Sequence, residues 1–111
     1  MARSKYGNKK TNNKGVLFDS GRESRRYSTL LLMQKAGEIS NLERQVAFEL
    51  IPKQRLSNGK CERSCKYILD FRYTDKDDFV VHNDSKGKRT PEYIIKRKLM
   101  KFIHGIEILE T

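Results

Sequence analysis

At 111 residues the chain has room for one domain with a single core. Hydrophobic residues make up only 36%, which predicts a small, thinly covered sheet whose burial a homodimer would assist. A formal net charge of +10 points to a polyanionic partner. No apolar run approaches the roughly 18–20 residues of a membrane span, and no apolar N-terminal stretch reads as a signal peptide. A soluble protein of the cytoplasm is expected.

The placement of charge says more than its total. Residues 1–15 carry five basic and no acidic side chains, and residues 85–104 carry seven basic and one acidic. The acids of the remainder cluster around two candidate sites. That layout suits phosphate neutralisation on nucleic acid with a carboxylate site set into a basic surface. A ribosomal-type RNA binder would share the charge but would not need carboxylates on buried strands.

Residues 1–15 are polar and without periodicity, and read as a basic, flexible arm whose Lys5, Lys9, Lys10 and Lys14 meet phosphates. A single domain over residues 16–111 follows. Val16-Leu17-Phe18 is a short apolar segment, and Asp19-Ser20-Gly21 offers an N-cap. Ser20 and Glu23 match a capping box, so a helix is expected over residues 21–36 and stopped by Gly37. Its inward stripe is Tyr27, Leu30, Leu31 and Gln34. Four residues before Tyr27 the same stripe holds Glu23, which would point it at the sheet. Spacing alone leaves both roles of Glu23 open.

Ile39-Ser40-Asn41-Leu42 leads into a strand over residues 44–51, stopped by Pro52. Residues 53–65 form a loop. It holds Cys61 and Cys65, which lack two further ligands at zinc-finger spacing and read as free thiols. A second strand over residues 66–73 places Tyr67, Leu69, Phe71 and Tyr73 on one face and Ile68, Asp70 and Arg72 on the other. After a turn at residues 74–78, a third strand spans residues 79–84. If Tyr73 opposes Phe79, Asp70 faces His82 with Asp84 diagonal to it; if Tyr73 opposes Val81, Asp70 faces Asp84 directly. Either register leaves the two carboxylates within roughly 5–8 Å between Cβ atoms. Thr90 caps and Pro91 opens a second helix that runs to His104 and stops at Gly105, with one apolar and one strongly basic face, the latter including Lys96 and Lys98. Residues 106–109 form a last strand. The order is helix, three strands, helix, strand, an α/β architecture with a mixed sheet flanked by helices.

Two neighbouring carboxylates repel and each loses hydration, so a fold retains them when a cation or shared proton compensates. Oxygen ligands beside a phosphate substrate point to Mg²⁺, with Mn²⁺ a ready substitute. Lys86, two residues beyond Asp84, could orient or deprotonate water, or offset charge in the transition state. The Ser85 carbonyl is a further candidate ligand. Gly87 would let a nucleic-acid backbone approach, and Lys88, Arg89 and the second helix would meet phosphates beyond it. An Asp-x-Lys triplet by itself is usually a solvated ion pair. Its combination with Asp70 on an adjacent strand and Glu23 on a preceding helix is more specific.

That combination resembles the PD-(D/E)XK (restriction-endonuclease-like) superfamily, whose core has the same αβββαβ order. It is similar above all to a group of small phage-encoded proteins carried as a domain of unknown function, and to phage Holliday-junction resolvases and transposase end-cleaving subunits. The stretches that carry the likeness are Phe18-Asp19-Ser20 leading to Glu23 and Tyr27, Gly37 to Leu42 leading to Gln45, Tyr67 to Phe71, and Asp84-Ser85-Lys86-Gly87. The resemblance implies that Asp70 and Asp84 hold the metal, Lys86 assists the water and Glu23 completes the acidic site. Arg22 and Arg26 join the DNA-contacting cations. Gln45 falls where related nucleases place a polar residue near the site, though a sheet-edge amide reads as well. Asn83 departs from the pattern, where relatives show Glu, as does Leu69 in place of Pro or a small residue. A magnesium-dependent DNA endonuclease is expected, on branched or four-way-junction DNA in phage recombination or packaging, acting as a homodimer in the host cytoplasm. The alternative is a non-catalytic nucleic-acid-binding regulator on the same fold.

Overall fold

The computed structural model describes Thr11–Asn13, Val16–Phe18 and residues 20–111; Lys5, Lys9, Lys10 and Lys14 lie outside the described residues. Strand β1 (Thr11–Asn13) pairs antiparallel with β2 (Val16–Phe18). Part of the stretch expected to be an unpaired arm is therefore laddered. Helix α1 spans Gly21–Lys35. It begins where the Glu23 N–H donates to Ser20 Oγ at 3.2 Å, and it ends before Gly37, whose φ of +79° is costly for any residue with a Cβ.

Strand β3 (Ser40–Ile51) starts earlier than its apolar alternation suggests. Long-range contacts hold the Ser40–Glu43 segment, the Glu43–Arg72 ion pair at 2.8 Å and the packing of Leu42 on the core among them, and the side-chain pattern does not mark it. The expected loop of residues 53–65 holds a small hairpin, β4 (Gln54–Arg55) with β5 (Cys61–Glu62), closed by a turn at Gly59. Cys61 and Cys65 are free and exposed. Strands β6 (Cys65–Thr74) and β7 (Val80–Asp84) form the central hairpin. Asp75 organises its turn by accepting the N–H groups of Asp77 and Phe79 on Oδ1. Helix α2 (Pro91–His104) has Thr90 as N-cap and Gly105 in the left-handed region at its end, as expected. The last strand, β8 (Leu109–Glu110), lies later than the apolar run at residues 106–109 predicted. Ile106 and Ile108 pack on the core instead, so their hydrophobicity reports burial beside α2 rather than pairing.

The main sheet is mixed, with order β3-β6-β7-β8; the first three strands are antiparallel and β8 runs parallel to β7. The fold is thus α/β, with the main elements in the order α1, β3, β6, β7, α2, β8. Alternate residues of β6 supply both halves of the core. Phe71 and Tyr73 pack with Phe18, Leu30 and Ile39, while Tyr67 and Leu69 pack with Leu50, Tyr93 and Met100. Since residues two apart share a sheet face, α1 and α2 both cover the same side. Within α1, Leu30 is fully buried and Gln34 is exposed, its side chain accepting the Leu42 N–H at 3.0 Å. On α2 the inward residue of the last turns is Met100, while Phe102 is 86% exposed. Among the described residues no helix is long and apolar enough to cross a membrane.

Candidate active site

Strand β7 is half the length of β6, and what happens where it ends defines the site. The ladder pairs Tyr73 with Val81, Arg72 with His82 and Phe71 with Asn83. Continued one step, it sets Asp70 opposite Asp84, the direct register. At that step the strands exchange side-chain bonds instead of ladder bonds. Asp84 Oδ1 accepts the Asp70 N–H at 2.8 Å, and Asp70 Oδ2 accepts the Ser85 N–H at 3.0 Å. Each carboxylate is therefore fixed by the other strand's main chain, a well-determined geometry for two like charges. Asp84 is 1% exposed, and its Oδ2 accepts the Tyr67 hydroxyl.

Burial, with the charges of Asp84 and Glu23 added, pushes the Asp70 carboxyl up to about 7, against smaller opposing effects from the Ser85 N–H and Lys86. Burial and the adjacent Asp84 hold the Tyr67 phenol well above its ordinary range, so it stays a donor. Burial and Arg72 lower the His82 imidazole, which sits half-buried on β7.

Glu23 is 7% exposed, which resolves its direction toward the sheet. Its Oε2 accepts from Gln45 Nε2 at 3.1 Å and from Arg44 at 3.3 Å. Arg44 and Val46 pair with Phe71 and Leu69, so Gln45 lies across from Asp70. Gln45 has a φ of +53°, and the ladder skips it. A non-glycine residue held there costs on the order of 1 kcal/mol or more, and the amide-to-Glu23 bond is what the distortion secures.

Lys86 is positioned from the far side. The Thr111 N–H donates to the Asp84 carbonyl, and the Lys86 N–H donates to the Thr111 carbonyl. The Ser85 N–H points the other way, donating to Asp70 Oδ2 on β6. The Lys86 ammonium stands 4.7 Å from the centre of the Tyr93 ring, a cation–π contact that orders it beside the acids. Gly87 passes under Arg22; a Cβ there would lie 3.5 Å from its Nε.

The structure thus brings Glu23, Gln45, Asp70, Asp84, Ser85 and Lys86 together. Among the described residues no three His, Cys, Asp or Glu side chains stand in a ligating group. The acids converge electrostatically, with Asp84 engaged by Tyr67 and Asp70. Of the surface cations, Lys88 and Lys98 are exposed. Arg26 is committed internally to Asn83 Oδ1 at 2.8 Å and Tyr73 Oη at 3.2 Å. Arg89 forms a fork with Glu110, and Lys96 pairs with Glu92 at 3.2 Å.

Several residues that shape the site carry no sequence signal. Asn83 is fully buried and bridges α1, β7 and β8 through Arg26, the Leu109 carbonyl and Thr111 Oγ1. This is the position at which the sequence departs from the pattern it resembles, and the amide serves as both donor and acceptor where a carboxylate could only accept. Glu110 accepts from Arg89 and Tyr93, whose bonds hold its carboxyl down to about 2. Tyr67 reads as a core aromatic, since alternation gives no hint of where a hydroxyl ends.

A family model described as a protein of unknown function (DUF1064) matches residues 3–105. The chain belongs to the DUF1064 family. No curated protein and no solved structure matches it. The matched span takes in every residue of the acidic site, from Glu23 to Lys86.

Proposed function

We propose that the protein is a magnesium-dependent endonuclease that hydrolyses phosphodiester bonds in DNA, on a PD-(D/E)XK-type core. The observation that carries this reading is the reciprocal clasp of Asp70 and Asp84, two carboxylates fixed side by side where β6 and β7 part, with Glu23 behind them and Lys86 alongside. The donor set suits a hard divalent cation: buried oxygens, with enough negative charge to raise Asp70's proton affinity. Asp70 and Asp84 would hold it, with the Ser85 carbonyl as a further candidate ligand; Glu23, which does not stand in a three-carboxylate ligating group with them, would contribute its charge from behind, and Mn²⁺ should substitute. The bound cation supplies Lewis-acid polarisation of the phosphoryl oxygen.

The chain's own residues have separate roles. Gln45 and Arg44 orient Glu23. Tyr67 fixes the rotamer of Asp84 by donating to Oδ2, whose second lone pair remains available. Lys86 bears the ammonium that orients the attacking water and offsets charge on the five-coordinate phosphorus. Arg22, over Gly87, and Lys88 lie where the backbone beyond the cut would pass. Branched DNA is the proposed substrate, cut by a homodimer, since paired incisions call for two such sites.

The test uses purified protein with linear, nicked and four-way-junction DNA, in Mg²⁺, Mn²⁺ or EDTA. Metal-dependent cutting is expected, abolished by Asp84→Ala and by Lys86→Ala while DNA binding largely persists. A mass by light scattering of twice the 13.0 kDa chain is expected alongside. One observation favours a second reading, a non-catalytic binder: both Asp84 oxygens already have protein partners. Binding of all three DNAs without cutting under either metal would establish that reading and sink the first.

A further inference from the structure

Because β7 pairs only with the Phe71–Thr74 part of β6, the β6 edge from Lys66 to Asp70 has, among the described residues, no strand beside it on that side. The Asp70 N–H faces that side, reaching Asp84. By alternation, the main-chain groups of Ile68 and Lys66 face it too. Opposite this edge stands the N-terminal half of α2. The cleft between them is a cavity of about 320 Å³ lined by Lys66, Ile68, Lys86, Thr90, Tyr93 and Lys96, next to Asp84.

We propose that this cleft is a subsite for one unpaired nucleotide of a nucleic-acid strand, adjacent to the bond being cut. The proposal rests on the nuclease reading and specifies its substrate as DNA with a single-stranded segment at the site. An open strand edge could in principle ladder with a peptide, but the charge here selects an anion. Three lysines line the cleft, Lys66 and Lys86 in addition to the Lys96 that offsets Glu92; two main-chain N–H groups face it, and the N-terminus of the 14-residue α2 adds its positive end. Of the two carboxylates on the wall, Glu92 is paired with Lys96 and Asp84 is turned onto Tyr67 and Asp70. Ile68, 49% exposed, lines the cleft and gives a base an apolar surface to lie on. The cleft's volume sits at the lower end of ligand pockets, so it admits a single nucleotide. A base held in a duplex stack would have to be extruded first.

Backbone amide shifts in the full-length protein, without metal, test this directly. Thymidine monophosphate should shift the Lys66 and Ile68 amide resonances at lower concentration than inorganic phosphate does. The double variant Lys66→Ala/Lys96→Ala should weaken binding of a short oligo-dT by roughly tenfold while changing a blunt duplex less than about twofold. Equal losses on both DNAs, equal responses to phosphate and nucleotide, or unmoved amides would overturn the subsite. Asp70→Asn separates the two ideas: the nucleotide shifts should persist in it whether or not any cutting is ever seen in the parent protein.

Discussion

Burial, with the charges of Asp84 and Glu23 added, opposes ionisation of Asp70 and makes it a pH-sensitive residue. Its folded value of about 7 lies above the ordinary 3.8. Between roughly pH 4 and 7 the folded state therefore holds a proton that the unfolded state has lost, and stability falls as pH rises through that window. Above pH 7 the penalty is constant, on the order of 2 kcal/mol once solvent screening is allowed for. Asp70→Asn should remove the decline, giving a higher Tm than the parent at pH 8 and little difference at pH 4. Because proton and cation compete for the same oxygens, Mg²⁺ should raise the parent's Tm at pH 8 and hardly at pH 5, and should leave Asp70→Asn unmoved. A Mg²⁺ response that survives Asp70→Asn would place the cation elsewhere. Tyr67→Phe keeps the ring's packing and deletes the bond to a buried carboxylate, so a loss of about 1.5–3 kcal/mol in urea unfolding is expected.

Among elements, the joint of α1, β7 and β8 depends on Asn83 more than on any apolar contact. Its amide spends donors on the Leu109 carbonyl and Thr111 and accepts from Arg26. Asn83→Leu preserves volume but strands these partners, so a cost of about 2–3 kcal/mol is expected, with the short β8 loosening first in amide hydrogen exchange. Gly37→Ala, at the end of α1 where nothing crowds a Cβ but φ is +79°, should cost only about 1 kcal/mol and leave the Mg²⁺ dependence of Tm expected of the parent unchanged. Element limits were legible wherever capping chemistry marks them: Ser20, Gly37, Thr90 and Gly105 set both helices as expected. They were not legible at Ser40 or at β8, because short strands are fixed by neighbours' backbones and carry little pattern of their own.

At the scale of the whole molecule, a net charge of +10 on 111 residues would make the proposed nucleic-acid binding strongly salt-dependent. Residues 1–10 contain Arg3, Lys5, Lys9 and Lys10. Each phosphate these neutralise adds roughly 0.9 to the slope of log K against log salt on duplex DNA. Deleting residues 1–10 should flatten that slope by up to about 3–4 and weaken binding most at low salt. A slope unchanged on four-way-junction DNA would show that these residues touch no phosphates. The part-buried bonds of Arg26 to Asn83 and Tyr73 argue that neutralising it would instead lower stability.

Charge distribution, helix termini and the face each strand residue takes follow from local chemistry, and the sequence by itself determined them: a basic chain with Asp70, Asp84 and Lys86 on neighbouring extended segments. Only the tertiary structure decided between two hairpin registers, turned Glu23 inward, and placed the Tyr67 hydroxyl on Asp84. Those choices depend on where β7 stops and on which distant groups then meet, and contacts between residues far apart in sequence leave no periodic trace in the chain.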